Sequence, residues 1–232
     1  MFTRIISFTL AAMVSIASVQ AAPNLKNEDE KIIYALGIKI MMDLSPFELS
    51  SKELTILHRG MRDAQKGELA LDPNQYQDKV SELAAKRVGV RAERERRDGA
   101  AYIEKMKKKP GARVSGSGLV WFLEKKGNGP KPKVSSTVLA HYRGTLINGT
   151  EFDSSYARNE PTEFPLNQVI PCWTDGMTQM PVGSKATLVC PADIAYGNRG
   201  AAPAIPPGAT LIFNVELLEI RPKKGTPPPT KK

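Results

Sequence analysis

Val138-Leu-Ala-His-Tyr142-Arg-Gly144-Thr-Leu146 and, two residues later, Gly149-Thr-Glu-Phe152-Asp153-Ser-Ser155 decide how the second half of this chain folds. Strand geometry turns successive side chains to opposite faces, so Val138, Ala140 and Tyr142 share one face. Asn148-Gly149 is a hairpin pair; the triplet Asn148-Gly-Thr150 also matches a glycosylation acceptor, but the turn already explains it. Past the turn, Phe152 brings an aromatic ring and Asp153 a carboxylate beside it. A carboxylate at the edge of an apolar cluster requires a reason to be there.

Working outward, Leu119–Leu123, Lys185–Cys190 and Thr210–Ile220 read as further strands, with a Gly/Pro loop from Lys125 to Pro132. Gly, Pro and Asn separate the runs, and one short helical segment, Trp173–Met177, interrupts them. The expectation is an α+β unit of roughly 105 residues, an antiparallel sheet wrapped over a short helix.

Ahead of it the pattern is helical. Asn27 with Glu30 resembles a capping box, followed by Ile33, Leu36, Ile40 and Leu44 at helical spacing. Ser45-Pro46 breaks that helix, and Ser50 with Glu53 caps a second one carrying Leu54, Leu57 and Met61. These helices have more apolar surface than they can cover on each other. Either they pack on the C-terminal domain of the same chain or they build an intertwined homodimer. Asp72-Pro73 then opens a third helix that can run to Lys109, about 55 Å at 1.5 Å per residue. Its run Arg91-Ala-Glu-Arg-Glu-Arg-Arg97 shows no core face, so the helix reads as a solvent-bridging spacer that could flex at Gly89 and Gly99.

Of 232 residues, 41% are hydrophobic and 25% charged, which allows a packed core, and the net charge is +9. Residues 83–113 hold 11 Lys/Arg against 4 Asp/Glu, so most of the excess sits on the third helix. Residues 1–22 carry Arg4, the apolar stretch Ile5–Val19 and the small pair Ala21-Ala22. That is the layout of a cleaved export signal, with an uncleaved anchor as the alternative. Later segments are too polar for stable membrane insertion. The expected address is the periplasm or an extracellular space, and in an exported protein a basic helix is a solvated or anion-attracting face, so no nucleic-acid partner is expected. Residues 222–232 form a Pro/Lys-rich tail expected to be disordered.

The chemistry these residues can do is restricted. His58 and His141 are the only histidines and lie far apart in sequence, so no metal cluster and no nucleophile-base pair is expected. Ser154 and Ser155 read as turn formers. Cys172 and Cys190, the only cysteines, permit a disulfide in an oxidising compartment; the alternative is two buried thiols. An aromatic and aliphatic pocket with few polar groups remains.

The quoted strings resemble the FKBP domain. So do Val169-Ile170-Pro-Cys-Trp173, Asp193-Ile-Ala195-Tyr196-Gly197, Ile205-Pro206-Pro207-Gly208 and Thr210-Leu-Ile-Phe213-Asn-Val215-Glu-Leu217. Tyr34-Ala-Leu-Gly37, Leu44-Ser-Pro-Phe47 and Leu49-Ser before a long helix are similar to the N-terminal module of the exported, Mip-like branch. The resemblance implies a signal peptide (1–22), a helical dimerisation domain (23–72), a linker helix (73–112), an isomerase domain (113–221) and the tail. It implies a peptidyl-prolyl cis-trans isomerase without covalent chemistry or cofactor, with added chaperone activity; a client-binding chaperone with little isomerase activity is the alternative. Unfolded or proline-containing exported polypeptides would be clients, residues 24–109 the homodimer contact, and macrolides inhibitors.

By position, the resemblance makes Asp153, Tyr142 and Tyr196 catalytic. Asp153 would be hydrogen-bonded to the Tyr142 hydroxyl, beside the twisting carbonyl. Trp173 would floor the pocket. Phe152, Phe164, Val169, Ile170, Ile205 and Phe213 would complete the substrate site, with the Ile170 N–H and the Tyr196 hydroxyl holding carbonyls. Plain core packing is the other reading of each aromatic. Ala201 and Ala204 are small, which predicts an open flap and a looser hold on macrolides.

Overall fold

The computed structural model describes residues 24–221, so the expected export signal and tail lie outside it. The chain divides into two compact units between Ile40 and Met41. The first is largely helix α1 (Glu28–Asp43). Half of the expected capping box forms at its start: the Glu30 backbone N–H donates to the Asn27 side chain at 2.9 Å, while the Glu30 carboxylate accepts from the Lys26 backbone N–H at 2.6 Å instead of from Asn27. Ile32, Ile33, Leu36 and Ile38 all stand exposed on it.

The second unit takes in the last residues of α1 from Met41, then a 3₁₀ turn over Ser45–Phe47 and helix α2 (Ser51–Lys66), whose N-terminus closes in the capping box of Ser50 and Glu53. The third helix differs at both ends from the sequence expectation. Asp72 caps a 3₁₀ turn over Pro73–Tyr76 before α3 proper begins, and α3 spans Gln77–Lys107. Its end follows from Pro110, which disfavours helical geometry in the residue before it.

Seven antiparallel strands follow: β1 (Arg113–Val114), β2 (Val120–Lys125), β3 (Thr137–Leu146), β4 (Glu151–Ser154), β5 (Thr162–Pro165), β6 (Lys185–Cys190) and β7 (Leu211–Arg221). Their order is β1-β2-β6-β7-β3-β4, with β5 pairing another stretch of β3. Helix α4 (Pro171–Gln179) lies between β5 and β6 in the chain. Val138, Ala140 and Tyr142 are buried, as the alternation requires, and share the main core with Leu166, Trp173, Met177, Leu188, Leu211 and Leu217. The core therefore fills the space between the sheet and α4.

The reading of Arg91–Arg97 as a run without a core face needs correction. Ala92, Gly99 and Met106 are buried, seven residues apart and so on one face of α3. Met106 joins Val120 and Val189, a facing pair of β2 and β6, in a second small core flanked by Tyr102 and Ile103. The second half of α3 is thus docked on the β domain, and Gly99 is a contact rather than a flex point. Further up the helix, Arg94 reaches Glu48 at 2.7 Å and Arg91 the same carboxylate at 3.3 Å. Arg87 grips Glu53 and the Phe47 carbonyl. Much of the basic surplus is therefore paired within the chain.

Candidate active site

Trp173 sits in the first turn of α4, where Pro171 occupies the position that needs no backbone donor. Its ring is buried and meets three others edge-on: Phe164 from β5 at 4.8 Å between centroids, and Tyr142 and Phe213 at 5.2 Å each. Phe152 of β4 packs edge-on against Phe213 at 5.6 Å. Edge-to-face geometry matches positive ring edges to negative faces and holds such rings in fixed orientations. The Trp173 indole N–H has no hydrogen-bond partner among the described residues.

These rings line a cleft of about 540 Å³. All ten residues that the sequence singled out for catalysis or substrate binding border it: Tyr142, Phe152, Asp153, Phe164, Val169, Ile170, Trp173, Tyr196, Ile205 and Phe213. Gln168, Ala201 and Ala204 complete the wall and were not among them. Tyr196 stands at the rim, 41% exposed. The Ile170 backbone N–H, at the cap of α4, has no intramolecular partner among the described residues. Cys172 and Cys190 are joined as a disulfide with Cα atoms 5.7 Å apart, tying the start of α4 to the end of β6. His141 lies away from the cleft. It stacks on Tyr156 at 4.6 Å and shares a 2.9 Å hydrogen bond with Ser155. No metal-binding group of side chains occurs among the described residues.

The polar side of the cleft is a three-residue knot. The Tyr142 hydroxyl donates to one oxygen of Asp153. Arg158, which sequence reasoning missed, donates to the other oxygen at 2.6 Å and to the Tyr142 hydroxyl at 2.8 Å. Its guanidinium also lies 5.7 Å over the Tyr142 ring. Burial alone would raise the Asp153 pKa, but the Tyr142 hydroxyl and Arg158 together hold it below the usual carboxylate range. Burial, followed by the bond to Asp153, pushes the Tyr142 phenol up. At neutral pH the knot is therefore a carboxylate, a neutral phenol and a guanidinium. A fixed carboxylate supplies a field at the edge of an apolar cleft, while none of the described lining residues forms a nucleophile-base pair.

Two family models match the chain. One, described as "FKBP-type peptidyl-prolyl cis-trans isomerase", matches residues 129–218, and the other, "Domain amino terminal to FKBP-type peptidyl-prolyl isomerase", matches residues 29–122. The chain belongs to the FKBP-type peptidyl-prolyl cis-trans isomerases. It is 35% identical to the isomerase FkpA of Escherichia coli K12 over 94% of this chain and 85% of that one. It is also 35% identical to the "Outer membrane protein MIP" of Legionella longbeachae, over 90% of this chain and 93% of that protein. The crystal structure of Escherichia coli FkpA superposes with a TM-score of 0.66 at 37% identity, covering 85% of this chain and 99% of the other. The α+β architecture of a helical front, a long helix and an antiparallel sheet is the FkpA arrangement. This FKBP-type isomerase carries its cleft on the matched C-terminal segment.

Proposed function

We propose that this isomerase accelerates rotation about Xaa-Pro bonds of exported polypeptides by favouring the twisted amide in a water-poor aromatic cup. Amide rotation costs about 18–20 kcal/mol because the planar form is resonance-stabilised. In the twisted form resonance is lost, and the carbonyl is less polar and less in need of water. A dry apolar cleft then binds the twisted state better than the flat one, so the barrier falls with no bond made or broken. A thousandfold acceleration needs only about 4 kcal/mol.

In this reading the prolyl ring rests on Trp173, walled by Tyr142, Phe152, Val169, Ile205 and Phe213, with Phe164 facing the residue before proline. The Ile170 N–H and the Tyr196 hydroxyl hold flanking carbonyls. Asp153, kept ionised by Tyr142 and Arg158, acts through its field on the rotating carbonyl. No cofactor takes part. The observation that carries the reading is a cleft in which an aromatic floor meets one clamped carboxylate. A proline-limited refolding assay and isomerisation of Xaa-Pro peptides test it. The mature chain should accelerate both, and Asp153→Ala and Tyr196→Phe should lose most of that acceleration. An inactive wild type, or fully active variants, would refute it.

The same reading divides the chain at positions 22, 72, 112 and 221. It includes export through a signal in residues 1–22, residence in the periplasm, and a homodimer built through residues 24–109. The exposed Ile32, Ile33, Leu36 and Ile38 support that contact, since such a surface on one helix requires covering. They also support a second activity, holding unfolded chains between two arms. Suppression of aggregation that survives Asp153→Ala but needs residues 24–109 would establish it. Macrolides would enter the cleft with a loosened grip beside Ala201 and Ala204.

A further inference from the structure

The rim loop that carries Tyr196 is gripped from behind by the long helix. Arg96 of α3 forks across it: Nη2 donates to Asp193 at 2.8 Å and Nε to the Asn198 side chain at 2.7 Å. Asp193 and Asn198 bracket Tyr196 in the chain, three residues before it and two after. The loop's returning limb is fixed to the same helix. Gly208 lies so close to α3 that a Cβ there would come within 2.5 Å of the Ala92 carbonyl oxygen, and Gly99 abuts Thr210 in the same way. The two limbs are tied to each other, Gly208 N–H donating to the Gly197 carbonyl at 2.9 Å. Between these fixings the loop reaches the cleft, with Tyr196, Ala201, Ala204 and Ile205 on its wall.

We propose that Arg96 is a positioning residue for the isomerase reaction: from the linker helix it pins both sides of the Asp193–Asn198 turn and so sets where the Tyr196 hydroxyl stands over the cleft. The inference rests on the reading of Tyr196 as a holder of substrate carbonyl. A guanidinium suits the task because its planar fork donates in two fixed directions at once, whereas an ammonium is a single point. The neighbouring Arg97 provides an internal comparison. It carries the same charge but, among the described residues, pairs only with the adjacent Asp98, at 3.1 Å.

The test is a set of isomerase measurements on the full mature chain. Arg96→Ala should lower kcat/KM about threefold, the loss that a partly exposed two-point contact can transmit. Arg97→Ala should leave it unchanged, and Arg96→Lys should recover only part. In a Tyr196→Phe background the Arg96→Ala effect should vanish, because the group through which Arg96 acts is gone. A general loosening of the fold would not respect that background. Equal activity of Arg96→Ala and Arg97→Ala, full recovery by lysine, or an undiminished effect in Tyr196→Phe would each overturn the proposal. If Arg96→Ala melts well below Arg97→Ala, Asn198→Ala takes its place in the cycle, removing one grip and leaving the helix untouched. A wild type without isomerase activity would instead defeat the reading of the site. An active wild type indifferent to Arg96 would defeat this inference alone.

Discussion

Removing the Cys172–Cys190 bridge should cost the isomerase domain about 3 kcal/mol. The bridge closes a sequence separation of 18 residues between α4 and β6, and both cysteines are fully buried. In the chain-entropy treatment a loop of that length withdraws about 3 kcal/mol of freedom from the unfolded chain. For a domain of this size each kcal/mol moves the melting temperature by about 4 °C, so the expected fall is about 12 °C. The perturbation is the double change Cys172→Ala/Cys190→Ala, followed by thermal and urea unfolding. Small voids from the lost sulfur atoms would add to the fall. A second sample therefore keeps the sulfurs: wild type unfolded and refolded under reductant, with two free thiols confirmed by titration. The reduced protein should melt well below the oxidised one, and the alanine double variant lower still by the contribution of the voids. If both melt within about 2 °C of the oxidised protein, loop closure contributes nothing and the reasoning fails.

The remaining expectations concern charge, backbone and cap. Asp153 has its folded pKa depressed, so its contribution is present above the ordinary carboxylate value of about 4 and is lost as pH falls through the lower folded value. The kcat/KM profile should be flat from pH 8 down to about 5; an acid limb centred above pH 5 that disappears in Asp153→Asn would contradict this. Gly208→Ala places a Cβ against Ala92 at a φ of +77° and should destabilise by about 1–3 kcal/mol in urea titration, with a neutral result excluding the close contact. Ser50→Ala removes the side-chain acceptor of the α2 capping box and should cost about 1 kcal/mol, measured as helix content and unfolding midpoint of the full chain.

The strand β3 was legible because one face is buried along its length, and period-two alternation survives in the letters Val138, Ala140 and Tyr142. The cleft residues were legible as a set because their motifs lie in chain order along the sheet and α4. Arg158 was not. It is an exposed arginine in an irregular loop, and its bond to Asp153 depends on how the chain bends after β4, which no periodicity records. The docking of α3 was hidden for a related reason. Its contact face is made of Ala92, Gly99 and Met106, two of them too small to register as hydrophobic, within a run dominated by arginine. Small residues permit close approach, and close approach is a property of two surfaces. Only the facing Gly208 and Thr210 reveal it. The charge excess misled in the same way, since Arg87, Arg91, Arg94 and Arg96 have acidic partners that are distant in sequence.

The seam between Met106 and the Val120–Val189 pair bears on where this protein can be divided. A fragment trimmed to begin at residue 113 would strip the lid from those two valines and leave the hollow around Gly208 facing water. Such a fragment would report on a wounded surface as much as on the cleft. A cut ahead of Arg91 keeps the last turns of α3, about five at 3.6 residues each, as part of the globule, so the working catalytic body begins inside what looks like a connector.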